Sequence, residues 1–200
     1  MLRIELFYRE DSLGDAWRAA FAGRPEVVIT GDDICYARCD AIVSPANSFG
    51  FMDGGLDLAL SQHFGWDLQT EVRRRIGELP ERELVIGRSL VVPTGNATIP
   101  WLIVAPTMRV PMSFNIATSV NAYLAMKAVL IAALQHDEIR SVAVPGLCTG
   151  VGRMPASISA HQMVMAYDEV VVGRRPDIGD FAAAQRHQSE LNPIGLIWDF

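Results

Sequence analysis

The chain has one lysine, Lys127, among 200 residues. Cysteine is nearly as scarce. Cys35, Cys39 and Cys148 are too few for a disulfide framework, so a reducing, cytoplasmic location is the expectation. Cys35 and Cys39 are four apart, with no histidine nearby and no second cysteine pair, which argues against zinc; neither metal nor cofactor is expected. No apolar run approaches the ~18 residues of a membrane span. The start, Met1-Leu2-Arg3-Ile4-Glu5, lacks the basic-then-apolar order of a signal peptide. There is no internal repeat and no low-complexity segment. Positive charge is also short: the net charge of −6 argues against broad nucleic-acid binding. It still permits an anionic small ligand held by backbone N–H groups, which carry no formal charge.

What is present describes one globular domain over residues 1–200, 50% hydrophobic and 20% charged. Alternating or β-branched runs predict strands at Arg3–Tyr8, Val27–Thr30, Ala41–Val43, Ser89–Val92, Leu102–Ala105 and Ser141–Pro145. Helical spacing predicts helices at Ser12–Ala22, Leu56–Phe64, Asp67–Gly77, Ile116–Gln135 and Ala156–Val170. Asp11-Ser12 and Ser113 suit helix starts, and Gly23, Gly65 and Gly77 suit stops. Strands alternating with helices mean an α/β sheet covered on both faces. After Gly173 the composition shifts. A polar amphipathic stretch runs to Leu191, and the apolar end from Ile194 to Phe200 reads as an extra strand or a packed tail.

Three stretches carry chemistry. In the first, the strand Ala41–Val43 empties into a loop with an exposed-type Asn47 and the pair Gly54-Gly55. A helical pattern follows, with Asp57 in its first turn, ten positions after Asn47. Strand, Gly-rich loop and helix together aim backbone N–H groups and a helix N-terminus at an anion. The second, from Val144 to Pro155, again runs from a strand into glycines, Gly150 and Gly152, which let a backbone approach a ligand closely. An ordinary glycine turn is the bland reading, and two such loops after two strands argue against it. Gly150-Val151-Gly152 is no Rossmann fingerprint, since Pro155 stands where a third glycine is wanted. The third is Thr30-Gly31-Asp32-Asp33-Ile34, which is also what a helix-capping turn would use. Cys148 and His161, thirteen apart, would make a nucleophile pair only with a third, orienting group, which is not found. Arg73-Arg74-Arg75 reads as a solvated helix face.

These stretches resemble the macrodomain family of ADP-ribose-binding modules. The hydrolytic branch reads Asp-Ala-Ile-Val-Asn-Ala-Ala-Asn, a short loop, then Gly-Gly-Gly-Val-Asp. Asn47 and Asp57 keep that spacing, Ser44 and Pro45 replace the first Asn-Ala, and Met52-Asp53 stand where more glycine is usual. The second stretch is similar to Pro-Ala-Ile-Ser-Thr-Gly-Ile-aromatic-Gly. Thr149, Gly150 and Val151 match, Cys148 replaces Ser, and Gly152 replaces the aromatic. Phe49, Phe51 and Met154 are left as candidates to wall the distal ribose. The third resembles Gly-Asp-Ile, and the spacing back from Asp40 selects Asp33 and Ile34 with one residue inserted. The resemblance covers roughly residues 27–172, leaving 173–200 as a helical or extended tail.

The resemblance implies a three-layer α/β/α fold with a mixed, largely parallel sheet of six or seven strands. Its ligand cleft would lie at the carboxyl ends of the strands. Adenine would rest by Asp33 and Ile34. The diphosphate would sit against Cys148, Thr149, Gly150, Val151 and Gly152, and the distal ribose against Asn47, Gly54, Gly55 and Asp57. The implied activity is hydrolysis at the distal ribose C1″, of mono-ADP-ribosyl Asp/Glu esters or O-acyl-ADP-ribose. Such a bond breaks through an oxocarbenium-like state, which a carboxylate stabilises. Asp57 is the candidate, with Asn47 holding ribose hydroxyls and Asp53 as a second carboxylate. A first-turn carboxylate should have its anion favoured by the helix dipole, making Asp57 an orienter of water rather than an acid. The sister mechanism, attack by a loop lysine, has only Lys127, inside a predicted helix. The Glu-Glu signature of poly-ADP-ribose glycohydrolases is absent. The implied partner is ADP-ribose or an ADP-ribosylated substrate, with no membrane. The alternative is a reader that binds ADP-ribose or a related nucleotide without turnover, and oligomeric state is not legible.

Overall fold

The computed structural model describes residues 2–112, 115–192 and 194. In chain order the elements are β1 (Arg3–Phe7), α1 (Asp11–Ala20), β2 (Val27–Thr30), a short 3-10 turn (Ile34–Tyr36), β3 (Ala41–Ser44), α2 (Gly55–Phe64), α3 (Asp67–Glu78), β4 (Leu90–Pro93), β5 (Trp101–Val104), α4 (Asn121–Gln135), β6 (Ser141–Pro145), α5 (Ala156–Tyr167) and α6 (Phe181–Leu191). The six strands form one sheet in the order β2-β1-β6-β3-β5-β4. Every neighbouring pair is parallel except β4 with β5. This is the mixed, largely parallel sheet of the expected three-layer fold.

Both faces of the sheet are covered, which is why β3, β5 and β6 run without the polar–apolar alternation that β1 keeps at Arg3 and Glu5. In β3, Ala41 and Val43 join the core under α1, α4 and α5, where Trp17, Met126 and Met163 are fully buried. Ile42, on the other face, joins the core under α2 and α3 with Leu60, Val72 and Ile76. Parallel register then brings the strand exits to one edge: Phe7 aligns with both Thr30 and Pro145, and Ser44 with Val104.

Two boundaries depart from the sequence expectation. The helix expected from Ile116 begins at Asn121. Residues 116–120 keep an apolar pattern, but tertiary partners take their backbone groups: Ile116 N–H donates to Gly152 O (3.0 Å), and Asn192 Nδ2 donates to Ala117 O (2.6 Å) and Ser119 O (2.7 Å). The helix expected to reach Val170 is α-helical to Tyr167 and widens into a π-turn over Asp168–Val172, ended by Gly173 at φ +82°. The tail supplies a helix, α6, whose last residue, Leu191, is buried. Ser113, the suggested helix start, and residues 195–200, the suggested extra strand, lie outside the described residues. No helix among the described residues is long and apolar enough to cross a membrane.

Candidate functional site

A cleft of about 780 Å³ runs along the carboxyl edge of the sheet, within the ~300–1,000 Å³ of small-molecule sites. Strand order dictates what lines it. From one end to the other come Asp32 and Ile34 after β2, Tyr8 to Glu10 after β1, Gly146 and Cys148 to Gly152 after β6, Asn47, Phe51 and Asp53 to Asp57 after β3, and Thr107, Met108 and Pro111 after β5. The N-terminal ends of α1, α2 and α5 all open on it, through Ser12, Gly55 and Ala156. Three helix N-termini with free N–H groups around one cavity favour an anion. Among the described residues Arg9 is the one basic side chain on the wall, against Glu10, Asp32, Asp53 and Asp57. The field that attracts an anion therefore comes mainly from the backbone.

The two glycine loops divide their tasks. A Cβ on Gly150 would meet no atom within 4 Å, so its bareness leaves room toward the cleft rather than relieving packing. A Cβ on Gly152 would stand 2.7 Å from Cys148 O and 2.8 Å from Ile116 Cδ1. No aromatic can occupy that position. Phe51 (46% exposed) and the buried Met154 line the cleft, whereas Phe49 does not. Arg73 lies 4.4 Å from the centre of the Phe51 ring, so it covers a rim aromatic as well as facing solvent, whereas Arg74 and Arg75 pair with Glu71. In the first loop Gly54 precedes α2 in an extended conformation, and Gly55 opens the helix at φ +56°, a left-handed conformation that glycine adopts without strain.

Asn47 was expected to be exposed and is buried. Its Nδ2 donates to Phe51 O (2.8 Å), and its Oδ1 accepts from Phe49 N (3.1 Å) and Phe51 N (3.3 Å). The side chain lines the cleft, yet most of its hydrogen-bonding capacity staples its own loop.

Asp57 also differs from expectation. It is the third residue of α2, 6% exposed, and lines the cleft. Burial pushes its carboxyl up to about 6, with only a hydrogen bond from Ser44 pulling the other way. Ser44 Oγ donates to Asp57 Oδ1 over 2.6 Å. The expected dipole stabilisation of the anion is outweighed by the loss of water around it. Ser44, which the sequence reading treated only as a departure from the family pattern, is thus the residue that touches the key carboxylate.

A stability consequence follows with a definite sign. The folded carboxyl titrates near 6 and the free one near 3.8. Well below pH 3.8 both states hold the proton and nothing is lost. Between the two values the unfolded chain ionises first, so native stability falls as pH rises, and the full penalty stands above pH ~6. Asp57→Asn is therefore expected to raise stability at pH 8 by about 2–3 kcal/mol. The gain should shrink to about 0.5 kcal/mol at pH 4, as read by thermal unfolding at both values. An equal effect at the two pH values would show that charge is not its source.

The other suggested residues sort plainly. Asp33 does not line the cleft: its carboxylate accepts from Cys35 N (3.0 Å) and caps the turn Ile34–Tyr36. Asp32, one residue earlier, takes the wall position beside Ile34, so the inserted residue falls after the wall acid rather than before it. Cys148 lines the cleft at φ +65°, and burial pushes its thiol up to about 12, so it remains protonated. His161 turns to Glu190 O on α6 (2.7 Å), and no Cys–His pair forms. Lys127 sits on α4, 2.5 Å from Glu169, and does not line the cleft. The sequence reading passed over Tyr8 to Glu10. The available signal was positional, since the residues after any strand of a parallel sheet reach the ligand edge.

Comparison with known proteins agrees with this geometry. The Macro domain family profile matches residues 43–163. An uncharacterized protein of Aeropyrum pernix is 31% identical over 140 residues, 70% of this chain and 69% of that one. The macrodomain of Mycobacterium tuberculosis DarG superposes with a TM-score of 0.59 at 22% identity, covering 70% of this chain and 88% of that chain. Thermosipho africanus DarTG in complex with ADP-ribose gives 0.56 at 18% identity, over 82% of this chain and 49% of that chain. These two structural likenesses bear on the fold alone; the profile, matching more than half of the sequence, shows that the chain belongs to the Macro domain family.

Proposed function

We propose that this protein binds ADP-ribose in the cleft and hydrolyses ADP-ribosyl esters, mono-ADP-ribosyl Asp/Glu or O-acyl-ADP-ribose, at the distal ribose C1″. The observation that carries it is Asp57, a buried carboxyl on the cleft wall beside a glycine loop and a helix N-terminus, titrating near 6. The diphosphate lies against the N–H groups of residues 148–152 and the distal ribose against Gly54, Gly55 and Asp57. A water attacks C1″ as the C1″–O bond to the acyl group breaks, and the bonding pair leaves with the carboxylate product. Asp57, ionised above pH ~6, orients that water, takes its proton and opposes the positive charge growing on the sugar. Asn47 shapes the loop that carries Phe51 and offers the ribose what bonding capacity its loop leaves free. Thr149 and Cys148 complete the diphosphate wall, Cys148 as a neutral thiol.

The second reading, a reader without turnover, has one observation of its own: the amide of Asn47 is largely spent on Phe49 and Phe51. Calorimetry with ADP-ribose, followed by an assay of ADP-ribose release, separates the two. Micromolar binding and release from Asp- or Glu-linked substrate, but not from Arg-linked substrate with its poorer leaving group, is expected. Binding with both substrates left intact under saturating protein would establish the reader instead.

The adenine end gives a sharper check. Asp32→Ala is expected to weaken ADP-ribose by ~1.5–3 kcal/mol, the worth of a charged hydrogen bond, and to leave ribose 5-phosphate unaffected. Asp33→Ala should lower stability by ~1 kcal/mol through the lost cap, with affinity unchanged. Calorimetry showing the effects exchanged would restore Asp33 to the wall.

A further inference from the structure

The contact between Ser44 and Asp57 crosses from the end of β3 to the first turn of α2, and both residues are buried. Ser44 is wholly buried and does not line the cleft, whereas Asp57 does. Asp57 Oδ2 has no hydrogen bond among the described residues, and the accessible part of the residue opens on the cleft. The two carboxylate oxygens are therefore not equivalent. We propose that Ser44 is a positioning residue: its hydroxyl holds Oδ1 of Asp57, so that Oδ2, toward the cleft, is the oxygen that takes up and gives back the proton. This rests on the hydrolytic reading of Asp57 for its consequence in turnover, and on the hydrogen bond alone for its consequence in titration.

Little else competes for control of that proton. β3 brings Ser44 as its one polar side chain, and the turn Ile34–Tyr36 brings a buried Cys35 thiol, itself pushed up to about 11, with an exposed Tyr36. α3 brings Glu71 paired with Arg74 and Arg75, and Arg73 laid over Phe51. His63 lies in the last turn of α2, edge-to-face against both Tyr36 and Phe64, and Asp53 is exposed in the preceding loop. None of these charges acts on Asp57, where burial and Ser44 alone oppose each other. A hydroxyl donating to the anion stabilises it, and a buried carboxylate without that donor holds its proton more tightly.

Two readouts on the same variants decide the matter: the titration of the Asp57 carboxyl carbon by NMR, assigned with Asp57→Asn, and the pH profile of kcat on the ester substrate. In the wild type both should turn over near pH 6. Ser44→Ala should move both upward by about one pH unit and lower the plateau kcat by roughly tenfold with KM unchanged. Ser44→Thr, which keeps the hydroxyl, should restore the wild-type titration. A Ser44→Ala titration within a few tenths of wild type would overturn the proposal, whatever the turnover. A shifted titration in a protein that releases no ADP-ribose would uphold Ser44 as the partner of Asp57 while removing the hydrolytic reading, so the two fail separately.

Discussion

Asp57→Asn is expected to lose ~10²-fold or more in kcat for release from an Asp- or Glu-linked substrate while changing ADP-ribose affinity by less than ~1 kcal/mol. The reason lies in where the group stands. Asp57 reaches the cleft beside the loop given to the distal ribose, and the walls given to diphosphate and adenine come from other strands. The amide keeps the volume of the carboxyl and an oxygen for Ser44 Oγ, so the protein around it is left in place. What it cannot do is accept a proton from water or oppose positive charge at C1″. Only transition-state stabilisation is removed, and kcat alone should fall. Single-turnover kinetics with calorimetry on the same preparation reads both quantities. A large loss of affinity with kcat intact would make Asp57 a binding residue.

Gly150→Glu is expected to abolish ADP-ribose binding and leave the melting temperature of the free protein nearly unchanged. The position is exposed, and a side chain there meets no atom within 4 Å. The folded protein therefore accepts the new side chain while the ligand does not, because the carboxylate enters the space of the diphosphate and carries the same sign. Gly152 is the internal contrast. Its missing Cβ is filled by Cys148 O and Ile116, so even Gly152→Ala should destabilise the fold, by ~1–3 kcal/mol. Calorimetry and thermal unfolding on both variants separate loss of a ligand surface from loss of packing. Saturable binding by Gly150→Glu would move the diphosphate away from this loop.

The six strands were legible because a sheet covered on both faces favours short apolar, β-branched runs: Val27–Thr30 is β-branched throughout, and Ala41–Ser44 and Ser141–Pro145 set Ile42, Val43, Val142 and Val144 among small residues. The cleft was legible in its glycines, since the backbone near Gly54, Gly55 and Gly150 must stay uncovered for any ligand to reach it. Three things were not. The start of α4 was hidden because Ile116 and Ala117 fit the helical period, while Gly152 and Asn192, distant in sequence, decide where their backbone groups go. The choice between Asp32 and Asp33 was hidden because either acid can cap a turn, and one inserted residue decides which does. The protonation of Asp57 was hidden because spacing shows that a carboxylate stands at a helix start, where the dipole acts, and does not show how much water the neighbours have removed.

Asn192 gives the region beyond the family match a mechanical part in the cleft. Its amide grips Ala117 O and Ser119 O, and the next link is Ile116 N–H on Gly152 O, two residues from Gly150, whose open side lies on the cleft wall. The end of α6 thus acts as a guy-line on the loop of Gly150 and Gly152, running through the segment that precedes α4. The matched core ends at residue 163, before this line is anchored. A chain cut after residue 163 would keep every wall residue and lose the contacts that hold one wall in place. The smallest unit that carries the whole cleft is therefore longer than the smallest unit that carries the motif.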